Sequence, residues 1–502
     1  MGVVRGREAI TRSFRFLAQA VEGLEQHAVD ELHDCLACSS DPASFNMENV
    51  EILGVGFFVF DVPVGEPNAK RRKLSEQTES VEDGADTAST DENDADNLSI
   101  LCELMRRLAR SQCCARICAL AYECKLVDIN AAKEEAMDVL RQAAKESDFD
   151  DARRLWKAMV LSHEQPLSRA ANPSIIARYR KKHRKGKSGD IDLDKPLFRV
   201  TCDRVTSMKL EKQSGGSFKH SFQSPDVAMA VGVALRQKDA DLWNASLSLP
   251  DLTVYTLVLD DRVFLCVSLY CEMWTRVFTT DGLKAHLAHS LVRRTRMLEM
   301  ARQLQDDSEP LQCVDVMCGL GTIPLCGVLQ AQRYQLTQRV RWQGGDIAPK
   351  SIKKAQENVK SLSSVFETKA PQFQVWDATA LPLADKSVDL ILCDMPFGRR
   401  HNSHKANAKM YPKALRECRR ILRSRDDVKL PEGTGNVFLL TLERNLLHRC
   451  LAESAPYFEV ISDASCDVGG FRHCALFELR LKADADATEA DSAPEQIAAA
   501  MP

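Results

Sequence analysis

Four acidic residues in the carboxyl-terminal half of the chain each close a short apolar run: Asp315, Asp346, Asp377 and Asp394. The first opens the stretch Asp315 to Thr322, in which Gly319 and Gly321 stand two apart. Paired glycines let backbone approach a ligand just before a helix begins. The spacing is not the dinucleotide Gly-x-Gly-x-x-Gly, because Pro324 takes the third glycine's place, and no Gly-Lys-Ser/Thr follows to make a phosphate loop. Asp346 follows Gly344 and Gly345, where an acid can accept both hydroxyls of a ribose. Asp377 follows Val375 and Trp376 and is placed to accept an adenine amino group. Each acid alone can equally cap the helix after it. Three in succession favour a nucleoside site.

The fourth acid heads Asp394-Met395-Pro396-Phe397-Gly398. A carboxylate, a proline-constrained turn and an aromatic ring suit a planar amine. The carboxylate and a turn carbonyl accept its N–H groups, the ring stacks on the base, and the nitrogen lone pair is aimed at an electrophile. Alone, the same residues describe a tight turn with a buried Phe; beside a nucleoside site, chemistry is the better reading. Arg399, Arg400, His404 and Lys405 come next and either hold phosphates or line a solvated loop.

The elements that position these residues alternate. Strand-like runs are Cys313 to Val316, Val340 to Gly344, Phe373 to Trp376, Val388 to Cys393, Asn436 to Leu440, Phe458 to Ser462 and Ala475 to Leu481, with helical stretches between the early ones. That order predicts a mostly parallel, doubly wound sheet with its ligand at the carboxyl ends of the strands. A basic amphipathic helix is expected over Leu283 to Leu304, leading into this domain, which spans residues 280–481. Upstream, residues 8–65 read as a small α/β part, and residues 66–98 as a disordered acidic linker. Residues 99–275 read as helix-rich to about 160, Cys118 to Tyr122 included, then as α/β from 196, with a basic insertion near 166–194. Residues 482–502 read as a disordered tail.

With 502 residues, the prior is about three domains. No run of 18 apolar residues occurs, so no helical membrane span is expected, and the first residues lack the apolar core of a secretory signal. The net charge of −4 hides an uneven distribution: residues 74–98 carry −9 and residues 482–502 carry −4, which leaves about +9 on the rest. A basic folded part suits a polyanion, and seven of the ten residues from Arg178 to Lys187 are Lys or Arg. The 18 cysteines lie mostly in apolar runs and read as buried free thiols in a reducing compartment. Cys35 and Cys38 form one Cys-x-x-Cys without a second matching pair, so no metal site is expected. Lys70 to Lys73 is either a nuclear-import patch or a solvated linker segment; the expected location is cytoplasmic, with nuclear entry as the alternative.

The stretch Asp315 to Thr322 resembles the first motif of the S-adenosylmethionine (AdoMet)-dependent, Rossmann-like methyltransferases, and Asp394 to Phe397 their amino-methylating Asp/Asn-Pro-Pro-aromatic signature. More narrowly, the chain resembles the THUMP-domain RNA guanine-N2 methyltransferases. The supporting stretches are Phe198 to Arg204, Gly282 to Ala288, Met410 to Arg416 and Val468 to Arg472, with the Gly23-Leu24-Glu25 region. It departs from the family at Val316, usually Pro, at Met395, the first Pro of the general signature, and at Cys326, near which the family has an acid. The resemblance implies a seven-stranded, mostly parallel class I methyltransferase domain preceded by an α+β ferredoxin-like and THUMP module that grips tRNA. It implies AdoMet as cofactor, held by Asp315, Met317, Gly319, Gly321, Thr322, Asp346, Ile347, Asp377, Ala378 and Asp394. It implies Asp394, Pro396 and Phe397 as catalytic residues, with Arg399, Arg400 and Lys405 on the substrate. It also implies a small zinc-binding activator subunit as partner.

The expected reaction is direct transfer of a methyl group to guanine N2 in tRNA, at acceptor-stem position 6, without a metal. Two alternatives stand beside it. One keeps the chemistry on another structured RNA, such as a spliceosomal small nuclear RNA. The other is a catalytically silent RNA-binding subunit, against which the intact Asp394, Pro396, Phe397 and glycines argue.

Overall fold

Strand β1, Thr11–Gln19, alternates as a half-buried strand should: Phe14, Phe16 and Ala18 enter one core while Leu17 enters another on the opposite face. The computed structural model describes residues 11–37, 45–65, 89–162, 192–214, 218–247, 250–271, 282–306, 308–363, 366, 370–397, 403–423, 431, 433–468 and 471–482. The chain divides into two units, one of residues 1–20 with 28–274, the other of residues 21–27 with 275–502.

In the first unit, β1 is followed by helix α1 (Glu25–Leu36), β2 (Glu48–Gly54), β3 (Phe57–Gly65), α2 (Ser89–Leu108) and β4 (Arg116–Lys125). These strands lie in the order β2-β3-β1-β4, every neighbour antiparallel. That is the ferredoxin-like βαββαβ arrangement. The sheet continues through β8 (Arg262–Cys271), β7 (Leu252–Leu259), β5 (Leu197–Val205) and β6 (Asn244–Ala245), with β5 parallel to both its neighbours. Helices α3 (Lys133–Glu146), α4 (Asp150–Leu161) and α6 (Ser224–Lys238), with the short α5 (Met208–Gln213) between them in sequence, complete the unit. Trp156, Leu140, Val231 and Leu235 share the main core with β1.

Two expectations fail here. The stretch Cys118 to Tyr122 is strand, not helix: it sits in β4, whose apolar run is paired on both sides by β1 and β8. A helix begins at Ser89, inside the segment 66–98 expected to be disordered, because the residues it leads to, Leu101, Leu104, Met105 and Leu108, recur at helical spacing and are buried. The remainder of that linker (66–88), most of the basic insertion (163–191) and the tail (483–502) lie outside the described residues.

The second unit carries the seven-stranded sheet. Its strands are β9 (Leu311–Asp315), β10 (Val340–Asp346), β11 (Gln372–Val375), β12 (Leu390–Asp394), β13 (Asn436–Thr441), β14 (Phe458–Val468) and β15 (Phe471–Leu481). They lie in the order β11-β10-β9-β12-β13-β15-β14, parallel except for β15, which is antiparallel to both neighbours. The chain steps outward from β9 to β11, then returns to pair β12 against the other side of β9. That reversal is a topological switch point, and it opens a crevice at the ends of β9 and β12. The expected helix over Leu283 to Leu304 is two: α7 (Ala285–Arg294) and α8 (Met297–Gln303). Thr295 and Arg296 part them, Arg296 at φ 59°. The break lets Met297 enter the core, where its sulfur receives the Trp342 Nε1–H at 3.2 Å.

Residues 21–27, expected in the amino-terminal part, belong instead to the second unit. Val21 and Leu24 are buried in the core that holds Leu291, Cys313 and Phe438. Gly23 has φ +84°, and a Cβ there would lie 2.2 Å from the Ser465 carbonyl oxygen. No side chain fits without moving a strand. Gly23→Ala is therefore expected to destabilise this unit by about 1–3 kcal/mol, read by calorimetric unfolding of the full chain. An unchanged transition would refute the packing of this segment.

Candidate active site

Helices α9 (Thr322–Arg333) and α10 (Pro349–Ser361) follow β9 and β10, and α11 (His404–Ile421) follows β12. Gly319 and Gly321 turn the chain from β9 into α9 with φ of 52° and 80°. A Cβ at Gly319 would meet nothing within 4 Å, so this glycine faces open space, whereas one at Gly321 would strike Phe373 at 2.4 Å. One glycine therefore exposes backbone to a ligand and the other packs the loop down. The loop is tied from two further sides: Asn358 Nδ2 donates to the Leu320 carbonyl at 3.0 Å, and Trp376 Nε1 to that of Val316 at 2.9 Å.

Asp315, at the end of β9, is 1% exposed and accepts the Met317 N–H at 3.2 Å. Burial is the main force raising its carboxyl well above the ordinary carboxylate range; the nearby charges of Asp394 and Asp346 add to it, while the Met317 hydrogen bond opposes it. Asp346, at the end of β10, accepts the Gly319 N–H at 3.1 Å on one oxygen and the Ala348 N–H at 2.9 Å on the other. A carboxylate has about four acceptor positions, so a pair remains for ribose hydroxyls. Ile347, beside it, is 70% exposed, as an apolar wall for a ring would be before the ring arrives. Asp377 is exposed, and one of its oxygens accepts both the N–H and the hydroxyl of Thr379 at 2.8 Å. It shapes a turn and leaves one oxygen outward. Ala378 and Thr322 are buried, and Met317 is half-buried.

Asp394 ends β12. Its Oδ1 is out of contact with solvent and has no hydrogen-bond partner, and burial pushes the carboxyl up to about 7. A desolvated, unpaired acceptor at a strand end is costly unless something fills it. Met395 is 3% exposed and packs into the core with Trp376 and Tyr411, which explains why an aliphatic residue serves there. The Pro396 carbonyl already accepts two hydrogen bonds, from Asn407 Nδ2 at 2.8 Å and the Tyr411 hydroxyl at 3.0 Å. Phe397 is half-buried at the edge of the core. Val316 is buried, and Cys326 is wholly buried with its thiol toward the Ala285 carbonyl at 3.8 Å, so neither departure leaves a polar gap. Arg399 and Arg400 lie outside the described residues; Lys405 is exposed on the first turn of α11, and His404 Nδ1 pairs with Glu443 at 2.7 Å.

Asp315, Asp346, Gly319 and Asp394 thus meet at one crevice. Asp394 and Asp346 both lie close enough to oppose the ionisation of Asp315, an arrangement that a bound cation would relieve. Sequence reasoning missed Asn358, Trp376, Asn407 and Tyr411, which act through backbone carbonyls. Only Tyr411 carried a signal, lying within the Met410 to Arg416 stretch. Among the described residues, no group of three or more His, Cys, Asp or Glu side chains gathers as metal ligands, and the described cysteines are free. No helix among them is long and apolar enough to cross a membrane.

Comparison with known families matches residues 273–453 to the RMKL-like methyltransferase domain. That stretch is similar to this methyltransferase family. The cofactor that the family implies is AdoMet, and the residues fit it: an open glycine, an acid with acceptor positions left for ribose hydroxyls, and buried carboxyl groups whose ionisation a sulfonium would favour. A bovine (Bos taurus) protein named tRNA (guanine(6)-N(2))-methyltransferase THUMP3 is 29% identical over 292 residues, 56% of this chain and 51% of its own length. Another bovine protein, named U6 snRNA (guanine-N(2))-methyltransferase THUMPD2, is 26% identical over 227 residues, 45% of this chain and 38% of its own. The chain spans about half the length of the first of these curated relatives and less of the second. The crystal structure of TrmN from Thermus thermophilus superposes with a TM-score of 0.52 at 20% identity, covering 93% of this chain and 99% of that one, and shows the shared fold.

The crevice makes a prediction that needs no substrate. Asp394 titrates near 7 in the folded protein and near 3.8 when unfolded. Between those values the folded state holds the extra proton. Its ionisation therefore removes stability as pH rises through that window, and no more is lost above about 7. Unfolding curves of wild type and Asp394→Asn are expected to diverge in the variant's favour from pH 4 to 7 and run parallel above. A constant difference across that range would contradict an unpaired, buried carboxylate.

Proposed function

We propose that the protein transfers a methyl group from AdoMet to the exocyclic N2 of a guanosine in tRNA, at acceptor-stem position 6. The observation that carries the reading is the unpartnered Asp394 Oδ1 beside the Pro396–Phe397 turn, at the switch point where β9 brings Asp315 and the glycine loop. Bound there, AdoMet supplies a methyl group on a positively charged sulfur. Asp394 and a turn carbonyl accept the N2–H groups, which orients the nitrogen lone pair and favours pyramidalisation of an otherwise delocalised amine. Phe397 stacks on the base. The glycine loop and Asp346 hold the sulfonium as it gives up its methyl group to N2 and becomes a neutral thioether, and the N2 proton passes to solvent. A paired guanine hides N2 in the minor groove, so the nucleotide must leave its helix. Lys405, with Arg399 and Arg400, is proposed to hold neighbouring phosphates.

The choice of RNA rests on the relatives. The 29% identical protein is named for tRNA, and the basic character of the chain outside its two acidic stretches suits an RNA partner. The proposal assigns the first unit, ferredoxin-like sheet and continuation, to a THUMP-containing RNA grip. It includes a small zinc-binding activator subunit, carried from the family resemblance, and a reducing, cytoplasmic setting that suits the free thiols. A second reading, N2 methylation of a guanosine in another structured RNA, is favoured by the 26% identical relative named for U6 snRNA.

Labelled AdoMet is incubated with the full chain and unmodified tRNA, with and without the activator, and the product nucleosides are separated. N2-methylguanosine in tRNA is expected, with more in the presence of the activator. Product in small nuclear RNA and none in tRNA would replace the first reading by the second. AdoMet binding without product on any RNA would leave a silent binding subunit.

A further inference from the structure

The Pro396 carbonyl is held by two side chains one helical turn apart, Asn407 and Tyr411 on α11. Both are wholly buried, so neither is there to meet solvent. The Tyr411 hydroxyl also lies 2.9 Å from Thr441 Oγ1, and Thr441 Oγ1 in turn accepts the Glu443 N–H at 2.9 Å. Each hydroxyl has one proton. Tyr411 gives its own to Pro396, so Thr441 must donate to Tyr411, and Glu443 supplies Thr441. The chain of donors runs one way, from the backbone after β13 to the turn after β12. Burial raises the Tyr411 hydroxyl above its usual range, which keeps it a donor.

Two donors fill the two lone pairs of the Pro396 carbonyl. It cannot then be the turn carbonyl that receives the substrate amine, and its peptide plane cannot rotate without breaking both bonds. We propose that Asn407 and Tyr411 are positioning residues. By fixing the Pro396–Phe397 peptide they set the direction of Phe397 relative to Asp394, which strand pairing already holds, and they leave the Met395 carbonyl as the turn's acceptor. Thr441 orients Tyr411 for that task. The inference rests on the N2-methyltransferase reading and adds to it the residues that hold the turn. They touch neither cofactor nor substrate in this role, so their effect belongs in turnover rather than in cofactor affinity.

The test uses the full chain with the activator and an RNA that wild type methylates. The variants are Tyr411→Phe, Thr441→Val, Thr441→Ser and the double variant Tyr411→Phe/Thr441→Val. Each is measured for kcat, KM for RNA, AdoMet Kd by calorimetry, and Tm. The expectation is a fall in kcat of about tenfold or more for Tyr411→Phe, the loss of one well-placed hydrogen bond. Thr441→Val should fall in the same direction, Thr441→Ser should restore turnover, and the double variant should be no worse than Tyr411→Phe. AdoMet Kd should stay within a few-fold of wild type throughout. Unchanged kcat in Tyr411→Phe would overturn the assignment. So would a loss matched by equal weakening of AdoMet binding and a large drop in Tm, which is the mark of a structural role alone. Additive losses in the double variant would break the link through Thr441. A wild type that binds AdoMet and methylates no RNA would instead defeat the functional reading, and the positioning role with it.

Discussion

Strand β9 is paired in parallel on both sides, to β10 and to β12, and the order of the sheet reverses across it. The rest of the second unit depends on that constraint. Parallel pairing sends every crossover helix back along the sheet, so the carboxyl ends of β9, β10, β11 and β12 all face one way. Acids placed at those ends are brought together whatever the loops between them do. The reversal then parts the loops after β9 and β12, and a ligand can enter there.

The same convergence loads the site with carboxyl groups whose ionisation burial makes costly. Asp315 is buried with the Met317 N–H and the Cys393 thiol as hydrogen-bond partners, and Asp394 has an oxygen with no partner. A fold selected only for stability would pair or remove these groups. Their retention makes sense if the missing partners arrive with the ligands: a cationic cofactor opposite the carboxylates and an amine opposite Asp394. The surrounding backbone is held correspondingly hard. Asn358 fixes Leu320, Trp376 fixes Val316, and Asn407 with Tyr411 fixes Pro396. Each clamp comes from a different element and acts on a carbonyl in a loop that would otherwise be free to turn.

The sheet and its acids were legible in the sequence because strand–helix alternation and an acid at the end of an apolar run are local signals. The clamps were not, because Asn358 and Asn407 are ordinary helix residues until the tertiary structure shows which carbonyl each one meets. The break at Thr295 and Arg296 was hidden for a similar reason. No Gly or Pro marks it, and only the burial of Met297 against Trp342 makes a left-handed Arg296 worthwhile. In the first unit, Cys118 to Tyr122 has an apolar run that periodicity assigns to neither state, and pairing with β1 and β8 decides it. Residues 21–27 joined the second unit through two apolar side chains and one glycine, too short a segment for any pattern to announce.

The central claim is that the strand ends form one cationic-cofactor site in which Asp346 serves the cofactor and Asp394 serves the acceptor. Equilibrium binding of AdoMet to wild type, Asp346→Ala and Asp394→Ala tests it most directly. The account predicts that Asp346→Ala weakens binding by a factor on the order of ten to a hundred, the loss of charge-assisted hydrogen bonds worth about 1.5–3 kcal/mol. It predicts that Asp394→Ala stays within a few-fold of wild type. Undiminished binding by Asp346→Ala would contradict the account.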